Sequence, residues 1–369
     1  MDINELRLLV DKTKASAEKI SVLLIFSHIK DCSDIESLTK VSFAERCYND
    51  FQIDEFKNAL IEFGFHVKTY RSEAEFLKDT VLGLKNQNFR EYKIALYLGL
   101  GGIGPAKRVM IPSYCKFAGI PCCNTPASGM VMSWHRFFQT QILKAAGIPH
   151  PNLWEYHFAS GWRTNSNPED GTKIIVKSAY ECCSVGVTEN SVRYVDSSLE
   201  KYVYSISKEI SQPIVVQEFI SGKECYQPIL EVQELHLPTP IEVRPNIKKF
   251  PKRNFLLPTD HETSDGILYS APNDLNIEVI KRLQRTARKI HSLLELSVVS
   301  RIDFRITEDG TPYVFDIAEN PGLNRFTSAF PKSFMLEGIE YTDLLGAIIG
   351  ANLWRENIMA IHESAKRIS

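Results

Sequence analysis

Long apolar runs are missing from this chain of 369 residues, and none approaches the ~20 residues that a membrane span needs. A basic stripe is missing too. Net charge is −2 and the 24% of charged residues are spread along the chain, which speaks against a nucleic-acid partner. The eight cysteines make no zinc pattern, because Cys122-Cys123 and Cys182-Cys183 are adjacent pairs that cannot easily reach one tetrahedral metal. Thiols packed as small apolar residues are expected instead. There is no G-x-S-x-G and no histidine in a motif, so hydrolase readings have no support. Internal repeats and low-complexity tracts are absent. Met1-Asp-Ile-Asn-Glu reads as the start of an amphipathic helix and not as a signal peptide, so a soluble, cytoplasmic protein is expected.

What is present is enough apolar residue, 44%, to bury more than one core, which at ordinary domain sizes means two or three domains. Residues 21–28 suit a buried strand, and the spacing of Ile53, Phe56, Leu60 and Phe63 before Gly64 predicts a helix with a glycine stop. His66 to Tyr70 and Lys93 to Leu100 read as strands, with helices over 73–85 and 108–118. This alternation predicts a small parallel sheet covered on both faces. From Ser128 the pattern changes. A helix is expected over 134–146, strands over 173–177 and 213–219, a polar helix over 197–209, and strongly periodic helices over 276–296 and 341–354. The basic, Pro-rich stretch 245–265 has little periodicity and reads as a lid or substrate loop.

The most informative segment runs from Val299 to Gly322. Ile302, Phe304 and Ile306 point to one face of a strand, Thr307 to Gly310 make a turn, and Pro312 to Ile317 return. Asp303 and Asp316 sit among these apolar residues, with Arg301 beside the first. Facing carboxylates repel, and burial adds a desolvation cost. A hard divalent cation sharing phosphate oxygens resolves both, and a solvated acidic hairpin is the plainer alternative. Lys177, at the end of an apolar strand, is either a snorkelling surface residue or a phosphate ligand. The Ser/Gly turn that follows can present N–H groups to phosphate. Glu218 and Glu224 flank a turn that suits an adenine amino group and a ribose hydroxyl, or is a solvated hairpin. The Gly-rich stretch from Leu98 to Pro105 follows a strand without the acidic residue expected after a second one. It reads as a backbone turn approaching a small substrate.

The order of these pieces resembles the ATP-grasp superfamily, and within it the D-alanine–D-alanine ligase family. The pieces are a small α/β domain, a helix with Arg136, strand-Lys177-x-x-x-x-x-x-Ser184-Val-Gly186, strand-Glu218-Phe-Ile-Ser-Gly-Lys-Glu224, a basic loop, a periodic helix, Arg301-Ile-Asp303-Phe, and Asp316-Ile-Ala-Glu-Asn-Pro-Gly322. The resemblance covers nearly the whole chain, most strongly residues 173–186 and 301–331. It implies an α/β, ATP-grasp fold of three α/β domains, with boundaries near 1–125, 126–215 and 216–369, and with ATP between the central and C-terminal ones. It makes Lys177 a phosphate ligand, residues 182–186 with Cys183 and Ser184 the phosphate-covering loop, and Arg136 the counterpart of a phosphate-touching lysine. Gln217, Glu218, Phe219 and Ile220 line the adenine, and Glu224 holds the ribose. Asp303 and Asp316 become Mg²⁺ ligands, while Arg301, as oxyanion stabiliser, and Ser184 are carried over as catalytic. Gly322, Thr327 and Ser328 shape the acceptor pocket. The implied cofactors are ATP and Mg²⁺, the implied partners are small amino acid, carboxylate and amine substrates, and a homodimer through the first domain is implied as well.

The chain departs from the family's pattern at several places. Ala318 stands where the terminal metal motif has asparagine, Asp316 where it has glutamate, and Gln217 where an acidic adenine ligand is usual. Two cysteines replace Gly and Ser in the phosphate loop. The first-domain segment of the family that carries a histidine and an acidic pair reads Leu98-Gly-Leu-Gly-Gly-Ile-Gly-Pro. That last change points away from D-alanyl-D-alanine as the product. Three readings follow: an ADP-forming carboxylate–amine ligase of specialised metabolism, a cell-wall D-alanine–D-alanine ligase, and a non-catalytic nucleotide-binding protein.

Overall fold

The computed structural model of the chain describes residues 3–31, 47–83, 92–99, 104, 107–164, 166–182, 187–246, 255–256 and 266–356. The first unit is built from α1 (Ile3–Lys14), β1 (Ile20–Ile25), α2 (Asp50–Phe63), β2 (His66–Tyr70), α3 (Glu73–Gly83), β3 (Tyr92–Tyr97) and α4 (Met110–Ala118). Its strands are parallel in the order β2-β1-β3. Every residue of β1 is buried, as a strand covered on both faces requires. An Asn49/Gln52 capping box starts α2, and Gly64, left-handed at φ 115°, stops it. Helix α4 begins two residues later than its sequence suggests. Pro112 lies in its first turn, where a missing N–H costs nothing. Lys107 and Arg108 are thereby left on the turn ahead of the helix.

The helix expected over 134–146 is α6 (Arg136–Ala145), and a helix that was not expected, α5 (Ala127–Trp134), precedes it. His135 between them is extended, at φ −87° and ψ 100°. The break sets Arg136 at the head of α6, with its N–H donating to the Ala179 carbonyl at 3.3 Å. Next come β4 (Leu153–His157), β5 (Gly161–Trp162), β6 (Lys173–Ser178), β7 (Val192–Tyr194), α7 (Leu199–Ile210) and β8 (Ile214–Glu218). They form an antiparallel sheet ordered β5-β4-β8-β6-β7. Strand β8 carries this sheet past position 215. Helix α7 covers one face, packing Leu199, Val203 and Ile210 against Ile174, Val176 and Val216.

The third unit holds β9 (Lys223–Glu231), β10 (Leu235–His236), β11 (Ile241–Pro245), β12 (Ile267–Ser270), α8 (Ile277–Leu293), β13 (Val299–Ile306) and β14 (Pro312–Ala318). Its sheet is ordered β12-β11-β9-β13-β14, with β10 also on β9. Leu283, Ala287 and Ile290 of α8 pack on Ile302, Phe304 and Ile306 of β13. The period of two therefore turns Arg301, Asp303 and Arg305 to the opposite face.

After α9 (Ala329–Leu336), the helix α10 (Tyr341–Arg355) leaves this unit and packs on α1 and α2 of the first. Leu6, Leu60 and Phe63 share one core with Leu344, Ile348 and Leu353. The approach is close enough that a Cβ at Gly346 would collide with the Phe63 ring, and one at Gly350 with the Thr13 side chain. Among the described residues, no helix is long and apolar enough to cross a membrane.

Candidate active site

Register decides the centre of the site. Asp303 and Asp316 are direct partners across β13 and β14, so their side chains leave the sheet on one face. A bulge follows at once, between Asp303 and Phe304. Both aspartates line a cavity of about 300 Å³ together with Arg136, Lys177 and Arg301. Gly322, Thr327 and Ser328 line the same cavity. The expected phosphate, metal, oxyanion and acceptor residues are thus brought together from three separate stretches of chain.

Each aspartate meets an arginine. Arg301 donates to both Asp303 oxygens, at 2.7 and 2.8 Å, a bidentate pair that fixes the guanidinium plane. Arg136 donates to Asp316 at 2.8 Å, and to the carbonyls of Ser178 and Glu181 at 3.1 and 2.6 Å. Arg136, expected as a phosphate ligand, is therefore committed to a carboxylate and two backbone oxygens. Lys177 is buried, with its Nζ 3.5 Å from the Phe315 carbonyl and over the Phe315 ring.

Electrostatics separate the members. Burial pushes the Asp303 carboxyl up to about 6 against the pull of Arg301, with Asp316 and Glu224 adding to the rise. Burial acts the same way on Asp316, but Arg136 and Lys177 outweigh it and hold that carboxyl below its usual range. Lys177 is brought down to about 8 by burial, despite the attraction of Asp316.

A smaller, more apolar cavity adjoins the first through Lys177. Ile175, Phe219 and Phe315 supply its greasy walls, and Gln217, Glu218, Ile220 and Glu224 line it as well. The turn between β8 and β9 needs Gly222, at φ 144° and packed against the Ile306 backbone, where a Cβ would collide. Glu224 is held by Arg305 at 2.6 Å and by the Tyr226 hydroxyl. Glu218 instead accepts from Asn152 at 3.1 Å, at the edge of this wall. Gln217 donates to the Phe315 carbonyl at 3.2 Å. The loop after β14 is built on Asn324, whose side chain accepts from the N–H groups of Phe326 and Thr327 at 2.9 and 3.1 Å. The Thr327 carbonyl accepts from Tyr269 at 2.7 Å, and a Cβ at Gly322 would press on Ser328.

Residues 142–350 match the family described as D-ala D-ala ligase C-terminus. The chain belongs to this family. Among its relatives, the D-alanine–D-alanine ligase of Borrelia duttonii is 24% identical over 246 residues, 65% of this chain and 66% of that one. That of Lactiplantibacillus plantarum is 26% identical over 187 residues, 48% of this chain and 46% of that one. The chain thus spans just under two thirds of the Borrelia enzyme's length and about half of the other's. The D-alanine–D-alanine ligase of Bacillus anthracis, solved complexed with ATP, superimposes with a TM-score of 0.66 at 19% identity, over 92% of this chain and 99% of that one. The VanG D-Ala:D-Ser ligase of Enterococcus faecalis gives 0.62 at 17% identity, over 90% and 99%. The fold is ATP-grasp.

Around this D-Ala–D-Ala ligase C-terminal core lie charged residues that the sequence did not single out. Lys107 and Arg108, on the turn ahead of α4, each take a buried carboxylate from a different sheet unit. Lys107 pairs with Glu181, just beyond β6, at 2.7 Å, and Arg108 with Glu319, just beyond β14, at 2.8 Å. Both cations also lie over the Trp134 ring. The first unit thus pins both walls of the cavity. Glu319, the residue after Ala318, is thus drawn toward Arg108 through Oε1. Cys183 and Ser184, and the lysines at 248, 249 and 252, lie outside the described residues, as does most of the stretch 245–265. Cys47 is disulfide-bonded, against the expectation of thiols throughout, whereas Cys115, Cys122, Cys123, Cys182 and Cys225 are not in a disulfide.

Proposed function

We propose that the chain is an ATP-dependent, ADP-forming carboxylate–amine ligase that joins an amino acid to another amino acid or small amine. The observation that carries this reading is the convergence of Lys177, Arg301 and the Asp303–Asp316 pair on one cavity, with the Gly322–Ser328 loop along it. In the proposed reaction a substrate carboxylate attacks the γ-phosphorus of ATP, giving an acyl phosphate and ADP. The amine then adds to the acyl carbon, and phosphate leaves from the tetrahedral intermediate. Such chemistry is accelerated mainly by positioning and by fixed positive charge. Lys177 neutralises phosphate oxygens. Arg301, held in plane by Asp303, faces the oxyanion of the second step. Asp303 and Asp316 fit a divalent cation, which would neutralise phosphate charge when bound. The apolar second cavity suits a purine, with Glu224 at the ribose. The names of the sequence relatives favour D-alanine as both substrates, and this is the second reading.

The test is ADP formation from Mg²⁺-ATP against a panel of D- and L-amino acids, alone and in pairs, with mass spectrometry of products. Turnover that requires a particular pair is expected. Turnover with D-alanine alone, yielding its dipeptide, would favour the second reading, and ATP binding without turnover would favour a non-catalytic role.

The proposed role of Lys177 has its own signature. Its ammonium sits at about 8 in the free protein, so charge is present below that pH and lost as pH rises through it. Affinity for a non-hydrolysable ATP analogue is expected to be level up to about pH 7.5. Above pH 8 it should weaken by about tenfold per unit. Calorimetric titration from pH 6.5 to 9.5 checks this, with Lys177→Arg expected to flatten the curve. A level profile in the wild type would remove Lys177 from the phosphate site.

A further inference from the structure

The two aspartates already carry N–H donors on every oxygen. Arg301 occupies both oxygens of Asp303, while Arg136 and the Ile317 N–H occupy those of Asp316, at 2.8 and 3.1 Å. Each oxygen retains acceptor capacity, enough for one cation between the pair that completes its shell with phosphate oxygens and water. A second cation needs further oxygen donors close to the aspartate pair. Position 318, next on the Asp316 face of β14 by the period of two, is alanine. Glu319 is turned to Arg108, and the Asn320 amide donates to the Tyr97 carbonyl at 3.1 Å. Among the described residues, no three His, Cys, Asp or Glu side chains gather as a metal shell. Charge points the same way. Arg136, Lys177 and Arg301 already exceed the two aspartates, and Glu224 is taken by Arg305.

We infer that this site admits a single divalent cation with its nucleotide, and that the Arg136 guanidinium takes the electrostatic place of a second. Arg136 is suited to this because three acceptors pin it, Asp316 and the carbonyls of Ser178 and Glu181. A planar guanidinium so held is a fixed positive charge that needs no oxygen shell of its own. The inference rests on the ligase reading and specifies its cation requirement.

The experiment is a Mn²⁺ titration of the full chain saturated with a non-hydrolysable ATP analogue, with free Mn²⁺ read by electron paramagnetic resonance. One bound Mn²⁺ per nucleotide is expected in the wild type, and two would overturn the inference. The paired change Arg136→Met with Ala318→Asn removes the guanidinium and restores an oxygen donor, so the count is expected to rise from one to two. A count that stays at one, in a variant that still takes up the analogue, would overturn the role given to Arg136. Equilibrium dialysis of the analogue distinguishes the two levels. No uptake by the wild type would refute the ligase reading and the inference with it, whereas uptake with two cations refutes the inference alone.

Discussion

Asp303→Asn is expected to abolish Mg²⁺-dependent ADP formation, by a factor on the order of 10³ or more. A metal acting on phosphate contributes several kcal/mol to the transition state, and each ~1.4 kcal/mol is tenfold in rate. Asp303 is the better supported of the two carboxylates. It is the more deeply buried, and it also holds Arg301 in plane, so one substitution removes a metal ligand and loosens the oxyanion arm. Asparagine keeps the shape and one acceptor oxygen. Nucleotide affinity without metal should therefore change little, and thermal denaturation should still show a cooperative fold. Wild-type rates in this variant would refute the assigned metal site.

The second large effect concerns stability. Arg108→Met leaves Glu319, 0% exposed, without its cation. Breaking a buried ion pair from one side costs ~3–5 kcal/mol, because the remaining charge is uncompensated. The double change Arg108→Met with Glu319→Leu removes both charges and is expected to recover most of that loss. Urea denaturation of the two variants checks this. A double variant no more stable than the single would mean that the Arg108 stack on Trp134, at 4.6 Å, carries the effect.

How much of this was legible in the sequence depended on how locally each signal is encoded. The β13–β14 hairpin could be read because Ile302, Phe304 and Ile306 alternate, and alternation places Arg301 and Asp303 together on the other face without knowledge of any partner. Arg305 lay on that same face by the same count, and its place opposite Glu224 is register with β9, a long-range fact. Lys177 was legible as a lysine ending an apolar strand. Lys107, Arg108, Glu181 and Glu319 were not. Their pairings join residues 74 and 211 positions apart, and a basic pair before a helix looks like any solvated turn. Helix α5 went unread because Ser128, Gly129, Val131 and Ser133 are weak helix formers, so its sequence looks like a turn leading into α6. Helix α10 was visible as an apolar helix, but nothing in its own sequence says which unit it covers.

That last packing has a consequence for how the chain is made. A ribosome adding ~5–20 residues per second takes roughly twenty to seventy seconds between Thr13 and Gly350, which end in contact. Through that interval the face of the first sheet unit that receives α10 has no cover. The amino-terminal third cannot be completed on emergence, as ordinary vectorial folding would have it, and must wait for a helix translated long afterwards. The unit made first is therefore among the last to be finished. A nascent chain stalled before Tyr341 should expose Leu6, Leu60 and Phe63 to holding chaperones, and should become protease-resistant in that region only when α10 has left the tunnel.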